Sequence, residues 1–504
     1  MTNMRYDHRA LETSGSNALF QEFSSAAARA YASPYLVSNR TLSKINQHDL
    51  FFKYSRGEAA RFASSSLVAR DILLFYGKSA IEFLLLLGSL CLQKLSSYTT
   101  VAKSQHELFV DAYVAVGSKT NSGLGNNLTP LQPVACKHNW KVTILPRFYG
   151  SRNPFLRQKQ ITGLRTAGFD VLTEPDLLFL TDYLYLCGHI VAYPWLVLAL
   201  ARSLPRNREG NFVRFALLSE IGQSSLSGAI RYRQGRRLAP LVSSRDRLVQ
   251  WFENQPYDKN LNRGLRSARA RIPIYGAQLY IGCPEVANLR LDKAEPRWHS
   301  PDSVLVTGSL YLDEDSNVPY KVGPSLRYTK LFQGLVFRPA SKDVLVLLSY
   351  MGSSAAFTQQ IALRSLPAAE LVFRFHPAAP HPTLKCLVQK SSRINAGDLY
   401  DALGNARLVI GAASGALLEA IVLGVPVIVT RDPDDVHFSY VPEIGRGLLW
   451  AEVSSAQEVA GSIEELQIAS VNRKEEVLAA RDEMRKQCFG VEPTEEAIKL
   501  AFDL

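Results

Sequence analysis

Apolar residues in this chain fall into short runs that alternate with amphipathic stretches, and the alternation is regular in the second half. A run at 344 to 349 (VLVLLS) precedes a helical pattern at 355 to 365, and LVFRF at 371 to 375 reads as the next strand. A helix at 398 to 404 precedes a strand at 407 to 410, then a helix at 415 to 423 and a strand at 425 to 429. Unbroken apolar strands of this length, separated by helical periods, indicate a parallel sheet built from βαβ units.

The first half repeats the pattern with more interruptions. It predicts strands at 108 to 116 (LFVDAYVAV), 142 to 145, 169 to 172, 213 to 218, 248 to 252, 272 to 275 and 304 to 307. Helices are predicted over 57 to 103, 177 to 204 and 257 to 268. Residues 1 to 55 are polar and read as an irregular or partly ordered arm; 117 to 139, dense in Gly, Asn, Pro and Ser, read as a loop. Arg147, Arg152 and Arg157 fall in a basic loop, and 231 to 247 holds six Arg in a loop-like context. A helix with one charged face is predicted at about 471 to 487, and no internal repeat is present.

One stretch concentrates the chemistry. The strand at 371 to 375 ends in His376-Pro377. The strand Leu408-Val409-Ile410 enters a turn of small residues, Gly411-Ala412-Ala413-Ser414-Gly415, which opens the helix carrying Glu419. A strand, a Gly/Ser turn and a helix start together offer free backbone N–H groups and the positive end of a helix dipole. A histidine ending a neighbouring strand adds a donor. The arrangement suits a nucleotide phosphate leaving a sugar.

This segment resembles the C-terminal half of a GT-B glycosyltransferase. More narrowly, it is similar to bacterial enzymes that use CMP-activated acidic sugars such as sialic acid or Kdo, and to surface and capsular carbohydrate biosynthesis proteins. Their His-Pro and Ser/Thr motifs match His376-Pro377 and Ser414; a paired Ser-Ser or Ser-Thr is usual there, and this chain has Ala413-Ser414. VQWFENQPYDKNLNRGLR (Val249 to Arg266) and VGPSLRYTKLF (Val322 to Phe332) extend the resemblance, which covers about residues 210 to 450. It implies two Rossmann-like α/β domains facing a cleft, here with an extra, mainly helical N-terminal region. The expected division is an arm at 1–55, an acceptor-side domain at 56–315, a nucleotide-sugar-binding domain at 316–490 and a tail at 491–504.

The resemblance implies that His376, Ser414 and the turn amides of Gly411 and Gly415 hold the donor phosphate, and that Glu419 binds the ribose hydroxyls. Each has a plainer alternative. His-Pro can simply end a strand, Ser414 can simply cap a helix, and Glu419 can pair with an Arg. Glu253, with Asn254 and Gln255, follows an apolar strand and precedes a Pro-started helix. It is a candidate general base or nucleophile, or part of a helix cap. Glu220 competes with it, read as ending its own strand. Arg327 and Arg374 could neutralise a donor phosphate or carboxylate, and Gln278 could line the cleft on the acceptor side. Asp432, Asp434, Asp435 and His437 look like a metal cluster by composition, but RDPDD around Pro433 is turn spacing, so no metal is expected.

Length and charge refine this. The 504 residues suffice for two or three domains, and 47% hydrophobic with 20% charged residues describes an ordinary globular chain. The net charge of +11 fits an anionic partner. No nucleic-acid module signature appears, so nucleic acid is not expected. Six scattered cysteines without C-x-x-C spacing argue against zinc and against a disulfide framework. The polar N-terminus lacks an apolar signal core, which leads us to expect a cytoplasmic protein. Ile72 to Leu92 is apolar but broken by Lys78 and Glu82. It is read as a buried helix or, alternatively, as an interfacial one at the inner face of the cytoplasmic membrane. The expected activity is metal-independent, cofactor-free transfer of a sugar from a nucleotide donor to a glycan or lipid-linked glycan acceptor. An epimerase, a polyol-phosphate transferase or a non-catalytic scaffold of the same fold are the alternatives.

Overall fold

The computed structural model describes residues 17–31, 33–39, 65–95, 106–116, 128, 130–223, 226–283, 289, 291, 295–333, 342–376, 393–433 and 440–504. Two parallel sheets frame the molecule. In chain order the first half contains α1 (Asn17–Ala30), α2 (Ser65–Leu95), β1 (Glu107–Val116), α3 (Leu131–Lys137), β2 (Lys141–Gly150), α4 (Pro154–Thr166) and β3 (Asp170–Val171). There follow α5 (Glu174–Leu177), α6 (Leu180–Ser203), α7 (Arg208–Ser219), α8 (Ser227–Leu238), β4 (Arg247–Trp251), α9 (Pro256–Ser267), β5 (Ile274–Ala277), β6 (Ser303–Val306) and β7 (Tyr320–Val322). The strand order is β3-β2-β1-β4-β5-β6-β7.

The second half contains β8 (Val344–Leu348), α10 (Gly352–Ser365), β9 (Leu371–Phe375), β10 (Arg393–Ile394), α11 (Leu399–Gly404), β11 (Leu408–Gly411) and α12 (Ala416–Val422). It ends with β12 (Val427–Thr430), β13 (Trp450–Val453), α13 (Ala456–Asn472), α14 (Lys474–Cys488) and α15 (Glu495–Phe502). Its sheet order is β10-β9-β8-β11-β12-β13, and every strand pair in both sheets is parallel.

The period of two along each strand explains why these runs are continuously apolar. Val344, Val346 and Leu348 enter one core, whereas Leu345 and Leu347 enter the core on the opposite face. Val409 parts from Leu408 and Ile410 in the same way. Each fully buried side chain of this kind contributes about 1.5–3 kcal/mol. The core that takes Leu345 and Leu347 also takes Phe252, Ile281, Val304 and Val306, so the two halves share apolar packing.

Several expectations are corrected. Residues 213 to 218 are helical within α7, with Phe212, Val213, Ala216 and Leu217 buried on one face. The short apolar run is compatible with either period; the deciding feature is Asn207, whose side chain accepts from Gly210 N at 2.8 Å and caps the helix. The supposed loop of arginines is partly α8, and the loop at 117 to 139 contains α3. Arg147 lies inside β2 rather than in a loop, and Arg157 lies on α4. The arm at 1–55 contributes α1, with Phe23, Ala26, Ala27 and Ala30 buried against α6 and α7 residues such as Tyr193 and Val213. The helix expected at 177 to 204 breaks at Leu178 and Phe179, where Asp182 accepts from Phe179 N at 2.8 Å.

Close backbone packing anchors the helical layer to the sheet. A Cβ on Gly235 of α8 would lie 2.3 Å from Leu261 O, and one on Gly264 of α9 would lie 2.2 Å from Tyr232 O. Only glycine on both helices allows that approach. The first sheet also runs past the expected division at 315, because β7 pairs with β6. After α14 the chain returns to it: Gly490 N donates to Thr307 O at 2.7 Å, Pro324 bridges to Val491, and Ile498 and Phe502 of α15 enter the core beneath β1 and β5. The tail at 491–504 is thus part of the first half's packing.

Candidate functional site

Parallel strands bring their C-terminal ends, and the turns that follow, to one edge. In the second sheet β9, β8 and β11 are neighbours in that order, so His376 and Ser414 emerge two strands apart, about 10 Å by backbone spacing. Between them lies the turn after β8. Tyr350 packs its ring 5.7 Å from that of His376, and Ser349, fully buried, accepts from Met351 N at 3.1 Å just before α10. Pro377 lies outside the described residues, as do Asp434, Asp435 and His437. Among the described residues no group of three metal-ligating side chains occurs.

The turn after β11 is shaped by its small residues. Ala413 takes φ +36°, a left-handed conformation that costs a residue with a side chain about 1–2 kcal/mol. A strained residue there is consistent with a turn whose shape is needed. Ser414 Oγ accepts from Ala416 N at 3.3 Å, a local bond across the turn; the N-cap of α12 is Gly415, so Ser414 does not fill the capping role. A Cβ on Gly415 would lie 3.1 Å from Ile281, so glycine lets the first half's loop approach the turn closely.

That loop, which follows β5, reaches across to the second half at several points. Leu279 O accepts from Arg327 Nη1 at 3.0 Å. Tyr440 is hydrogen-bonded to both Tyr350 and Cys283. Gln278, expected to face the cleft, is instead held by backbone: its Oε1 accepts from Thr307 N at 3.0 Å and its Nε2 donates to Tyr280 O at 2.8 Å. It shapes the loop rather than presenting a free amide.

Glu419 is 6% exposed within α12, and Tyr400 Oη donates to its Oε2 at 2.5 Å. Burial pushes the Glu419 carboxyl up, while Arg327 and the Tyr400 hydroxyl pull it the other way. Arg327 remains open to solvent although protein surrounds it densely, as expected of a cleft wall. Burial disfavours its charge, but Tyr328, Glu419, Tyr400 and Glu253 together raise its pKa above the ordinary guanidinium value. The plainer alternative of a Glu–Arg neighbourhood and the ligand reading therefore coexist at this place.

Glu253 comes from the first sheet, just past β4. Trp251 Nε1 donates to its Oε1 at 3.0 Å, and Gln255 Nε2 donates to its other oxygen. Asn254 is buried and takes φ +53°, which Asn tolerates better than most residues. Gln255 caps α9 with Asp258, whose carboxylate also accepts from Glu253 N at 3.2 Å. The turn is thus fixed from behind and Glu253 is held at both oxygens.

Two candidates fall elsewhere. Glu220 sits at the C-cap of α7, in the helical layer and not at a strand end. Arg374 Nη1 donates to Asn395 Oδ1 and Gly397 O, both at 2.7 Å, so its guanidinium ties down the turn after β10. Sequence reasoning missed Tyr350, Tyr400, Tyr440 and Cys283. The S-Y-M-G-S-S turn at 349 to 354, falling between the two motif strands, was the available signal for the first.

No protein-family model and no curated protein sequence matches the chain. Among solved structures it is similar to a glycosyltransferase from Streptomyces nogalater, at 16% identity and TM-score 0.41, over 79% of this chain and 99% of that one. It is similar also to UDP-GlcNAc 2-epimerase from Neisseria meningitidis bound to UDP-GlcNAc, at 12% identity and TM-score 0.45, over 79% and 99%. A third is alpha,alpha-trehalose 6-phosphate synthase from Burkholderia multivorans, at 11% identity and TM-score 0.41, over 79% and 96%. At this distance the likenesses carry no argument about what the chain does, and the fold rests on its own topology: two parallel-sheet α/β domains with a mainly helical N-terminal region, the GT-B architecture.

Proposed function

We propose that this chain is a GT-B glycosyltransferase that moves a sugar from a nucleotide donor to a glycan or lipid-linked glycan acceptor in surface polysaccharide synthesis. The donor is a CMP-activated acidic sugar such as Kdo or a sialic acid. The observation that supports this is the electrostatic neighbourhood of Arg327, whose charge is favoured by Glu419 and Tyr400 of the second half and by Glu253 of the first, with Tyr400 donating to Glu419.

In this reading His376, Ser414 and the turn amides stabilise charge on the departing phosphate, with no metal and no cofactor besides the donor. Arg327 offers a fixed cation beside it. Glu419, desolvated and oriented by Tyr400, accepts hydrogen bonds from ribose hydroxyls. Glu253 takes the proton of the acceptor hydroxyl, its orientation set by Trp251 and Gln255. The chain works in the cytoplasm at the inner face of the membrane.

The test is thermal stabilisation of the purified protein by CMP, CDP, UDP, GDP and ADP, repeated with His376→Ala and Glu419→Gln. Stabilisation by CMP, lost in both variants, is expected. Preference for UDP or CDP transfers the reading to another donor, and no shift with any nucleotide overturns it in favour of a scaffold.

A further inference from the structure

The first half contains a second polar site that the donor chemistry leaves unused. A cavity of about 560 Å³ opens between α2, the C-terminal end of β2, α4 and α8. Its floor is a buried charge network. Arg147 Nε donates to Asp111 Oδ1 at 2.8 Å, its Nη2 reaches both Asp111 and Asp258, and Arg231 Nη2 lies 2.6 Å from Asp111. Arg147 and Arg231 are 4% and 3% exposed, and both line the cavity. The rings of Tyr113 and Tyr257 flank the Arg147 guanidinium at 5.3 and 5.9 Å.

This network is not closed. Arg147 Nη1, Arg231 Nε and Arg157 Nε are buried and find no hydrogen-bond partner among the described residues. A buried, unpaired guanidinium N–H costs more than a neutral one, so three at one cavity point to an absent acceptor. Arg152 and Lys78 complete a lining of five cations, against Glu82 and Glu174 in the lining and Asp111 and Asp258 in the floor beneath it. Burial pushes the Glu82 and Glu174 carboxyls up. An anion with several oxygens fits this donor set; a neutral sugar does not require it.

The surroundings narrow the ligand further. One wall is α2, whose Leu85, Leu86 and Ser89 line the cavity. The outer face of α2 is bare: Leu73 is 71% and Leu84 65% exposed, and only 17% of its most apolar window is buried. α2 and α6 are each long and apolar enough to cross a membrane by length and composition. The expectation of a buried α2 is thereby corrected. At its other end the cavity is lined by Gln255 and Tyr257, on the turn that holds Glu253.

We infer that this cavity binds the phosphoryl group of an amphiphilic acceptor, with the apolar chain lying along α2 and the acceptor head directed toward Glu253. The inference deepens the proposed transferase reading and rests on it for the role of Glu253. Arg147 and Arg231 supply fixed donors at the floor; Arg157 and Arg152 supply donors at the rim.

The test measures binding of farnesyl diphosphate, farnesol and inorganic pyrophosphate to the full-length protein by calorimetry, for the parent and for Arg157→Gln. Arg157 is chosen because it stands on α4 and takes no part in the pairs with Asp111 and Asp258, so the variant leaves those pairs intact; Arg231→Gln is the second variant, with unfolding monitored. Farnesyl diphosphate should bind at least tenfold more tightly than either part alone, and Arg157→Gln should weaken it about tenfold, as loss of one charged hydrogen bond does. CMP stabilisation should be unchanged in Arg157→Gln. Equal binding of farnesol, equal binding of pyrophosphate, or unchanged affinity in both variants would each overturn the inference. Loss of CMP binding with farnesyl diphosphate binding intact would instead strike the donor reading.

Discussion

His189 makes a sharp prediction about acid stability. It lies on α6, is 0% exposed, and is packed at ring distances of 5.1 Å from Tyr35, 5.2 Å from Tyr193 and 6.2 Å from Phe75. Desolvation lowers its pKa from 6.5 to about 3. Between those two values the unfolded chain binds a proton that the folded chain refuses. Stability from this group is therefore complete above about pH 6.5 and declines as pH falls toward about 3. Each pH unit in that window is worth about 1.4 kcal/mol, so about 2 kcal/mol is lost at about pH 5. For a unit of roughly 300–500 residues that is a Tm change of about 2–3 °C. The perturbation is His189→Phe, which keeps a ring beside Phe75 and Tyr193 but removes the titration. Calorimetric scans of parent and variant at about pH 7.5 and about pH 5 should show the parent losing about 2 kcal/mol more than the variant. His299, also buried and lowered to about 2, contributes to both proteins and cancels in the difference. Identical acid losses in parent and variant would refute the account, because they would mean His189 is solvated or paired.

Three further outcomes are expected. Asp111→Asn leaves Arg147 and Arg231 buried with Asp258 as the remaining carboxylate, and should cost about 3–5 kcal/mol by chemical denaturation, whereas Glu476→Gln at the solvent-exposed Arg473–Glu476 pair should leave the denaturation midpoint essentially unchanged. Gly264→Ala would place a methyl 2.2 Å from Tyr232 O and should lower stability by about 1–3 kcal/mol or more, read as a Tm loss with nucleotide response retained in the surviving fold. Tyr400→Phe removes the donor to Glu419 at 2.5 Å; it should weaken CMP binding by about 1.5–3 kcal/mol, measured by titration, and lower ligand-free stability by about 1–3 kcal/mol because a buried carboxyl loses its partner.

Much of the second half was legible because its strands are unbroken apolar runs and its helices short and regular; β8, β9, β11 and β12 stand within a residue or two of where the pattern put them. The first half was less so, for identifiable reasons. The 213 to 218 run is too short to fix its period, and only the Asn207 cap distinguishes helix from strand. The arginines of α8 look like a loop in composition, yet Arg231 and Arg233 are paired to Asp111 and Asp182, both far off in sequence. The places of the candidates were legible: the pattern set His376, Ser414 and Glu253 just past strand ends and Glu419 on the following helix, where the structure has them. What was not legible depends on partners brought by folding. Gln278 looked available until Thr307 N and Tyr280 O took its amide, and Tyr400 carried no motif at all.

The return of the chain after α14 has a consequence for synthesis. The first sheet is complete in strands at residue 322, but Val491, Ile498, Phe502 and the Asp503 partner of Tyr275 are made roughly 180 residues later. At usual elongation rates the delay is about 10–40 s. Through that interval the nascent first domain keeps Leu108, Tyr275 and Leu326 partly uncovered, a natural substrate for chaperones that hold apolar surface. Shortening the chain by its last dozen residues should therefore lower the yield of folded protein by acting on the domain that was translated first.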